Sequence, residues 1–415
     1  MKILIKNIKS LVQVEDNPRL KVLGKEMKSL VCIQDAWLAI EQDKIVGFGQ
    51  MSDWEGISDW SNLTVIDAAD KLVLPCYCDS HTHIVYAGSR ETEFVDRING
   101  LSYEQIFERG GGILNSAKKM QETSEEELIQ SALLRLNEIM RQGTGAVEIK
   151  SGYGLSLESE LKMLRVIKKL KELSPLTIKS TFLGAHAVPV NFKADKRKYI
   201  DLIIHEMIPK VAEEQLADYC DVFCEQNYFT KEETIQILNA AKKHGMTPKV
   251  HAEQLSNFGG VLAGVEVGAI SVDHLEYVGD NEIEALKGSI TMPTILPGAA
   301  FFLSLPLPPA RKMIDAGLPV AVASDFNPGS SPSGNMNFML SLCCVQYKMT
   351  PEEAINAATI NSAYAMDLSK THGSIAIGKK ANVFITKEIP SYSFIPYSFG
   401  SNLIETVIIN GKVIQ

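Results

Sequence analysis

The central part of the chain alternates short apolar runs with longer segments in which apolar residues recur every three or four positions. The first pattern is typical of buried strands and the second of amphipathic helices, so their alternation predicts βα units and a parallel sheet. Eight strand candidates lie at 72–79, 145–150, 176–183, 220–225, 247–251, 270–274, 289–294 and 318–323. Eight such units predict a (β/α)8 barrel, whose functional site lies at the C-terminal ends of its strands.

Three of the intervening helices begin with the residue pattern of a capping box. The pattern occurs at Thr123–Glu126, Thr230–Glu233 and Thr350–Glu353, and the last has Pro351 at the first helical position. We expect Gly143 to end the helix that starts after Thr123.

Both ends of the chain show the pattern of β structure instead. Residues 37–49 predict a hairpin, and 381–386 and 405–414 predict further strands, the last with an Asn-Gly turn. We therefore expect an α/β fold in two parts. Residues 1–70 and 371–415 would form a composite β-sandwich domain, and residues 71–370 would form the barrel.

Composition and charge narrow the class of ligand. The 415 residues are 45% hydrophobic and 22% charged, with a formal net charge of -9, which favours a small-molecule substrate over nucleic acid or an anionic membrane. No segment resembles a signal peptide or a membrane span. The seven cysteines are odd in number and lie mostly in apolar runs, which predicts reduced thiols and a cytoplasmic protein. Cys76 with Cys78, or Cys220 with Cys224, would be an alternative zinc pair, but neither has a second pair at zinc-site spacing.

Five of the eight histidines fall at the ends of predicted strands. His81 and His83 end strand 1 and point to the same side of it, because side chains alternate along a strand. The others are His186, His251 and His274, at the ends of strands 3, 5 and 6, and Asp325 ends strand 8. Each histidine alone could be a core residue bonded to a backbone carbonyl. Buried unpaired imidazoles cost free energy, so their collection at one end indicates metal-assisted chemistry. His205, His244 and His372 are expected to be solvated surface residues.

Three imidazoles and one carboxylate are a ligand set that suits zinc or ferrous iron. We expect His81, His83, His251 and Asp325 to bind the metal and to leave room for a water molecule. A water bound to such a cation has its pKa lowered to about 7. His186 and His274 would then orient or polarise the substrate.

These residues resemble the amidohydrolase superfamily. Three longer motifs are similar to the imidazolonepropionase family within it: Glu148-Ile-Lys-Ser-Gly-Tyr-Gly-Leu155, Thr181-Phe-Leu-Gly-Ala-His186 and Ser324-Asp-Phe-Asn-Pro-Gly-Ser330. The resemblance runs from about residue 70 to residue 370 and includes the flanking β domain. It implies hydrolysis of the cyclic amide of 4-imidazolone-5-propanoate to N-formimidoyl-L-glutamate, a step of L-histidine degradation.

The resemblance also implies roles for individual residues. It implies one divalent metal per chain, zinc or iron, on the four ligands named above, and a homodimer. The strand-end constellation itself predicts the catalytic roles: His186 donates to the developing oxyanion, and His274 with Asp325 manages the protons. The implied substrate contacts are Arg90, Tyr153, His186, Gln254, Asn327, Gly329 and Ser330. Arg90 could pair bidentately with the propanoate carboxylate.

Two positions and two other functions remain open. Many superfamily members have a carboxylated lysine at the end of strand 4 that bridges two metals, but this chain has Glu225 there, which favours a single metal. Gln254 stands where members of the family can carry glutamate. Its neutral amide cannot act as a base, so Glu253 is the other candidate for that role. Another amidohydrolase, such as a nucleobase deaminase, would use the same metal ligands and release ammonia. A metal-free barrel with a binding role would have no need for all four ligands.

Overall fold

The computed structural model describes residues 2–57, 61–101, 105 and 111–414. Its strands, in chain order, are β1 (Lys2–Val12), β2 (Cys32–Glu41), β3 (Lys44–Gln50), β4 (Leu63–Asp67), β5 (Lys71–Pro75), β6 (Tyr77–Thr82), β7 (Thr144–Lys150), β8 (Thr177–Ala185), β9 (Tyr219–Cys224), β10 (Thr247–Ala252), β11 (Ser271–His274), β12 (Met292–Ile295), β13 (Ala321–Val322), β14 (Val383–Glu388), β15 (Ile404–Ile409) and β16 (Lys412–Ile414). They form two sheets of eight strands each.

The described α-helices lie mainly between the barrel strands. They are α1 (Glu91–Ile98), α2 (Ile113–Glu122), α3 (Glu125–Arg141), α4 (Leu157–Leu173), α5 (Lys196–Leu202), α6 (Ile208–Glu213), α7 (Lys231–Lys243), α8 (Gly260–Val267), α9 (Asp280–Leu286), α10 (Pro297–Leu303), α11 (Ala310–Asp315), α12 (Met336–Val345), α13 (Pro351–Asn356), α14 (Ser362–Ala365) and α15 (Phe394–Tyr397). Single π-helical segments, Ile203–Met207 and Ala357–Asn361, join α5 to α6 and α13 to α14.

One of the two sheets is the predicted barrel. Strands β6 to β13 lie side by side in chain order, and every neighbouring pair is parallel. The first and last strands meet where the backbone N–H of Asp325 donates to His81 O (3.0 Å) and that of His83 donates to Phe326 O (2.9 Å). This contact nearly closes the barrel, and it brings the predicted metal ligands of both strands together.

The other sheet is built from both termini, as expected. β1 lies between β2 and β5, and β5 pairs in antiparallel register with β14, which continues to β15 and β16. The predicted hairpin at 37–49 is β2 and β3. One hydrophobic cluster contains Leu38 from β2, Val73 from β5 and Ile408 from β15. One face of the sheet therefore packs on a core of its own, and the expected fold class is confirmed.

The single strand predicted at 72–79 is two strands in different sheets. The backbone N–H of Cys76 bonds to Asn382 O in the terminal sheet, whereas that of Tyr77 bonds to Gly143 O beside the barrel (both 2.9 Å). The chain thus leaves one sheet and enters the other within one residue. Both strands are buried, so the apolar run shows no break between them.

Helix starts follow the capping patterns closely. Thr230 and Thr350 cap α7 and α13 as predicted, each with a reciprocal bond from the glutamate three residues later. The box predicted at Thr123 lies one residue further on, where Ser124 caps α3 and pairs with Glu127. Thr123 instead donates its hydroxyl to Lys119 O of the preceding helix. Gly143 follows α3 with φ +92°, as a helix-ending glycine does.

Two further expectations concern cysteines and histidines. All seven cysteines are free, and five are buried. His205 and His244 are exposed as expected. His372 was expected at the surface but is buried, with 5% of its surface exposed, because it lies between the barrel and the segment that leads into β14. Among the described residues, no helix is both long and apolar enough to cross a bilayer.

Candidate metal centre and active site

The C-terminal strand ends of the barrel surround a cavity of about 450 Å³. Of the predicted site residues, all but His81 line it: His83, Arg90, Tyr153, His186, His251, Gln254, His274, Asp325, Asn327, Gly329 and Ser330. His81 is completely buried beside His83 and His251.

The four predicted metal ligands converge at this cavity. Asp325 Oδ1 lies 3.6 Å from Nε2 of both His81 and His83, and the rings of His81 and His251 have centroids 4.4 Å apart. The potential ligand atoms of His81, His83 and Asp325 lie within 4.8 Å of one another, and so do those of His81, His251 and His274. The two groups share His81, and the rings of His83 and His251 have centroids 5.6 Å apart, so the groups adjoin one another.

The unsatisfied atoms of this cluster fit a cation. Nε2 of His81 and Nε2 of His251 are buried without a hydrogen-bond partner, which is uncommon for buried polar atoms. On the other side of each ring, His81 Nδ1 lies 2.6 Å from Asp273 Oδ2 and His251 Nδ1 lies 2.9 Å from Asp221 Oδ2. Carboxylates in this position fix the orientation and tautomer of metal-binding histidines.

Electrostatics keep two of these histidines in the form that binds metals. Burial, assisted by the positive charge of Lys150, holds the pKa of His81 well below its ordinary value. Burial and the neighbouring His186 do the same for His83. Both imidazoles are therefore neutral at pH 7, and a neutral imidazole has a lone pair for a cation.

A buried charge network lies beneath the cluster, inside the barrel. Lys150 Nζ is 2.5 Å from Glu148 Oε1 and 2.8 Å from Asp221 Oδ2, and Lys249 also bonds to Glu148. Asp273 Oδ2 lies 3.8 Å from both lysines, and all five side chains are fully buried. Two cations against three carboxylates leave one negative charge next to the proposed cation site. The sequence showed this network only as charged residues inside otherwise apolar strands.

Arg90 is held in place before any substrate binds. Its Nε and Nη2 donate to Glu93 Oε2 at 2.8 and 2.6 Å, and Glu93 Oε1 accepts from the backbone N–H of Gly112. Arg97 also lines the cavity and donates to Gly329 O (3.1 Å). Sequence reasoning missed Glu93 and Arg97. The available signal was their spacing of three and seven residues from Arg90, which places all three on one side of α1.

His186 and Tyr153 form one side of the cavity. His186 Nδ1 lies 2.9 Å from Gly152 O, and because a carbonyl only accepts, Nδ1 carries the proton. Burial and the neighbouring His251 lower the pKa of His186 to about 3, so its Nε2 is an unprotonated acceptor at pH 7. The ring of Tyr153 lies 5.5 Å from that of His186.

The turn after β13 is organised by its own side chains. Asn327 Oδ1 accepts from the backbone N–H of Gly329 (2.7 Å) and of Ser330 (2.8 Å), and its Nδ2 donates to Asp325 O (2.6 Å). Ser330 Oγ donates to Asp325 Oδ2 (3.0 Å). The turn therefore fixes the carboxylate of Asp325 and the backbone around Gly329 together.

The side chains of Gln254 and Glu253 have different surroundings in the structure. Gln254 lines the cavity, whereas Glu253 accepts from the backbone N–H groups of Gly259 and Val261 (both 2.9 Å) at the start of α8. Burial raises the pKa of Glu253 to about 7. Glu225 follows β9 as expected and accepts from the backbone of Leu255 (2.8 Å), next to Gln254. Glu253 thus acts as a helix cap in this structure.

His274 faces both the cluster and a buried carboxyl group. Its Nδ1 lies 3.5 Å from Glu276 Oε1, and burial lowers the pKa of His274 to about 4 despite the opposing effect of Asp325. His274 is therefore neutral at pH 7 and can accept a proton.

Comparison with known proteins gives full-length matches. Residues 72–414 match the model of the amidohydrolase family. An imidazolonepropionase of Christiangramia forsetii is 61% identical over 414 residues, which cover 100% of both chains. Imidazolonepropionases of Flavobacterium johnsoniae (59%, 99% of both chains) and Alkaliphilus oremlandii (42%, 99% of this chain and 97% of the other) are also similar.

Solved structures share the fold at lower identity. A triazine hydrolase variant superposes with a TM-score of 0.73 at 14% identity, covering 99% of this chain and 94% of the other. An adenosine deaminase of Xanthomonas campestris with bound zinc has a TM-score of 0.71 at 15% identity, covering 99% of this chain and 92% of the other.

Proposed function

We propose a reaction for this chain from one premise: the chain belongs to the amidohydrolase family and, within it, to the imidazolonepropionases. It hydrolyses 4-imidazolone-5-propanoate to N-formimidoyl-L-glutamate in L-histidine degradation. Water adds to the ring carbonyl, the carbon–nitrogen bond of the cyclic amide breaks, and the ring nitrogen takes a proton. The observation that carries the proposal is one cavity in which the histidine–aspartate cluster (His81, His83, His251, His274 and Asp325) lies beside Arg90, Tyr153 and His186.

Family membership and the histidine–aspartate cluster indicate a divalent metal. We assign one per chain to His81, His83, His251 and Asp325, a set of three nitrogens and one oxygen that suits zinc or ferrous iron. When bound, such a cation lowers the pKa of a coordinated water to about 7 and polarises a carbonyl. Glu225 at the end of β9 bonds to backbone N–H groups, which supports a single metal.

The cavity residues orient the substrate ring and its side chain. Arg90 pairs with the propanoate, and Tyr153 packs on the ring. His186 Nε2 accepts from a ring N–H, because its own proton is on Nδ1. The sequence suggested that His186 donates to the developing oxyanion, but a neutral ring with this tautomer has no proton to donate there. Gln254, Asn327, Gly329 and Ser330 supply the remaining polar contacts.

His274 moves the protons in this mechanism, and Asp325 orients the groups that exchange them. The attacking water loses a proton to a neighbouring base, and the ring nitrogen gains one as it leaves. His274 is neutral at pH 7 and adjoins the cluster, so its free nitrogen accepts the first proton and returns it to the leaving nitrogen. Asp325 keeps the water and His274 aligned through its bond to Ser330.

The test is to purify the protein, measure bound metal per chain and follow the loss of imidazolone absorbance with and without a chelator. We expect about one metal per chain and turnover that the chelator abolishes and zinc or iron restores. Metal without ring opening would overturn the assigned substrate, and release of ammonia from a nucleobase would favour a deaminase. Absence of both metal and turnover would contradict an enzymatic role.

We also propose a cytoplasmic homodimer. The homodimer rests on the family resemblance alone, and seven free cysteines support a reducing compartment. Light scattering of the purified chain checks the first proposal, with a mass near twice 45.7 kDa expected.

A further inference from the structure

The charges that line the cavity are unevenly paired. Arg90 is bound by Glu93 through two N–H groups. Burial opposes ionisation of Glu93, but the bonds from Arg90 and the backbone of Gly112 outweigh it and lower the pKa of this carboxyl. The pair is therefore ionised on both sides and carries no net charge.

Arg97 differs from Arg90 in forming no ion pair with an acidic side chain within the part of the chain that the structure describes, although Glu93 lies near enough to act on its charge. Its Nη2 donates to Gly329 O at 3.1 Å, and its guanidinium lies over the ring of Phe302, 5.0 Å from the centroid. A guanidinium has five N–H donors, and the described residues use only one of those of Arg97, for Gly329 O. Arg97 is half-buried and lines the cavity. An arginine keeps its charge in such a place.

The two arginines meet at the same residue. A Cβ atom on Gly329 would overlap Arg90 Nη1, so the guanidinium of Arg90 lies directly against this glycine. Arg97 bonds to the carbonyl of the same glycine. An anion beside Gly329 would therefore be within reach of both guanidinium groups. Arg90 has only part of its donor set free for it, because Nε and Nη2 are used by Glu93.

We propose that Arg97 binds the carboxylate of the substrate together with Arg90 and selects for an anionic side chain. Arg90 fixes the direction of the carboxylate, and Arg97 supplies the positive charge that Glu93 does not balance. This inference rests on the proposed function for the identity of the anion, which is the propanoate group. The ligand class it defines is a small heterocyclic ring with one carboxylate on a short chain.

The test compares two ligands that differ only in charge, imidazole-4-propanoate and the isosteric imidazole-4-propanamide. Calorimetry on the metal-loaded protein gives the dissociation constant of each for wild type, Arg97→Gln and Arg97→Lys. Arg165→Gln is the matched control, because Arg165 pairs with Glu214 on the surface. We expect Arg97→Gln to weaken acid binding about 10- to 100-fold and amide binding less than about threefold.

The other variants make the result specific. Arg97→Lys keeps the charge without the planar fork, so it should retain part of the preference for the acid. Arg165→Gln should retain all of it. The inference is overturned if Arg97→Gln keeps the wild-type preference or weakens both ligands equally. It is also overturned if the wild type binds acid and amide alike.

A separate measurement distinguishes failure of this inference from failure of the proposed function. If the wild type opens the ring of 4-imidazolone-5-propanoate while Arg97→Gln keeps its acid preference, only the inference fails. If the metal-loaded wild type does not open the ring, the proposed substrate fails, and the acid–amide comparison still reports on Arg97. Should Arg97→Gln fail to fold, the ratio for Arg97→Lys decides: a reduced preference for the acid with an intact fold supports contact, and an undiminished preference contradicts it.

Discussion

At the scale of single residues, Gly329 shapes the site by the side chain that it lacks. A methyl group there would overlap the guanidinium of Arg90 and displace it from its position beside the cavity. We predict that Gly329→Ala raises KM for 4-imidazolone-5-propanoate about 10- to 100-fold, the effect of losing one charged hydrogen bond. Steady-state kinetics and the thermal midpoint check this.

Gly88→Ala, two residues before Arg90, provides a control for that substitution. A Cβ on Gly88 would meet nothing closer than Lys119 at 3.8 Å, so its kinetics should match wild type. An unchanged KM for Gly329→Ala would mean that Arg90 does not need its observed position.

Asp273 acts on the proposed metal through His81. Its Oδ2 lies 2.6 Å from His81 Nδ1, so it orients the ring whose Nε2 is left for the cation. We predict that Asp273→Asn weakens metal binding about 10- to 100-fold. Competition with a chromophoric zinc chelator measures this independently of turnover.

Asp218→Asn is the matched control for Asp273, because Asp218 pairs with Lys171 and Lys179 away from the cluster. It should bind the metal as the wild type does. Equal zinc affinity of Asp273→Asn and wild type would contradict the orienting role.

At the scale of elements, α4 fixes the turn that carries Tyr153. Glu160, in the first turn of this helix, accepts from the backbone N–H groups of Gly152 (3.1 Å), Gly154 (2.7 Å) and Leu155 (2.9 Å). The same turn offers Gly152 O to His186. One buried carboxylate therefore positions the turn that carries Tyr153 and that holds His186, on one side of the substrate pocket.

We predict that Glu160→Gln lowers both stability and kcat/KM. The amide nitrogen cannot accept, so at least one buried N–H loses its partner, at a cost of about 1–3 kcal/mol. Thermal melts and kinetics on the same preparations test this, with Glu158→Gln, an exposed neighbour on α4, as the control. A Glu160→Gln protein with wild-type kcat/KM would show that the turn holds Tyr153 without this carboxylate.

The elements also show what sequence could and could not provide. The barrel was predictable because its strands are buried runs separated by amphipathic helices, and the histidines stand where such strands end. The break at Cys76 was not, because a chain that passes between two cores stays apolar on both sides of the junction. β13 is only two residues long, whereas the apolar pattern predicted a strand over 318–323.

The same limit applies to the site. Histidines at strand ends can be recognised as site residues from their positions in the sequence. Glu93 and Arg97 can be recognised only once α1 is placed beside Gly329. The pairing of Lys150 with Asp221 depends on which barrel strands are neighbours of which. Helix placement and cross-strand charge pairing are tertiary properties, and residue spacing alone does not contain them.

At the scale of the whole molecule, His372 connects the barrel to the terminal sheet. Its Nε2 lies 2.9 Å from Thr177 Oγ1 at the start of β8, and its Nδ1 lies 2.8 Å from Thr371 Oγ1. Lys379 donates to its carbonyl (2.9 Å) on the way to β14. A buried histidine at this junction makes the packing of the barrel against the terminal sheet sensitive to pH.

Burial lowers the pKa of His372 to about 4, with smaller contributions from Lys380 and Lys379. The unfolded chain takes up this proton near pH 6.5 and the folded chain only near pH 4, so the contribution to stability is present above pH 6.5 and is lost as pH falls toward 4. Between these limits, protonation of His372 lowers the free energy of unfolding by about 3 kcal/mol.

We predict that the difference in Tm between wild type and His372→Gln narrows by about 2 °C from pH 7.5 to pH 4.5. Protonation of the metal cluster affects both proteins equally and cancels in this difference. His244→Gln, at an exposed histidine, should show no such narrowing. A pH-independent difference for His372→Gln would mean that this residue does not link the two parts through its charge.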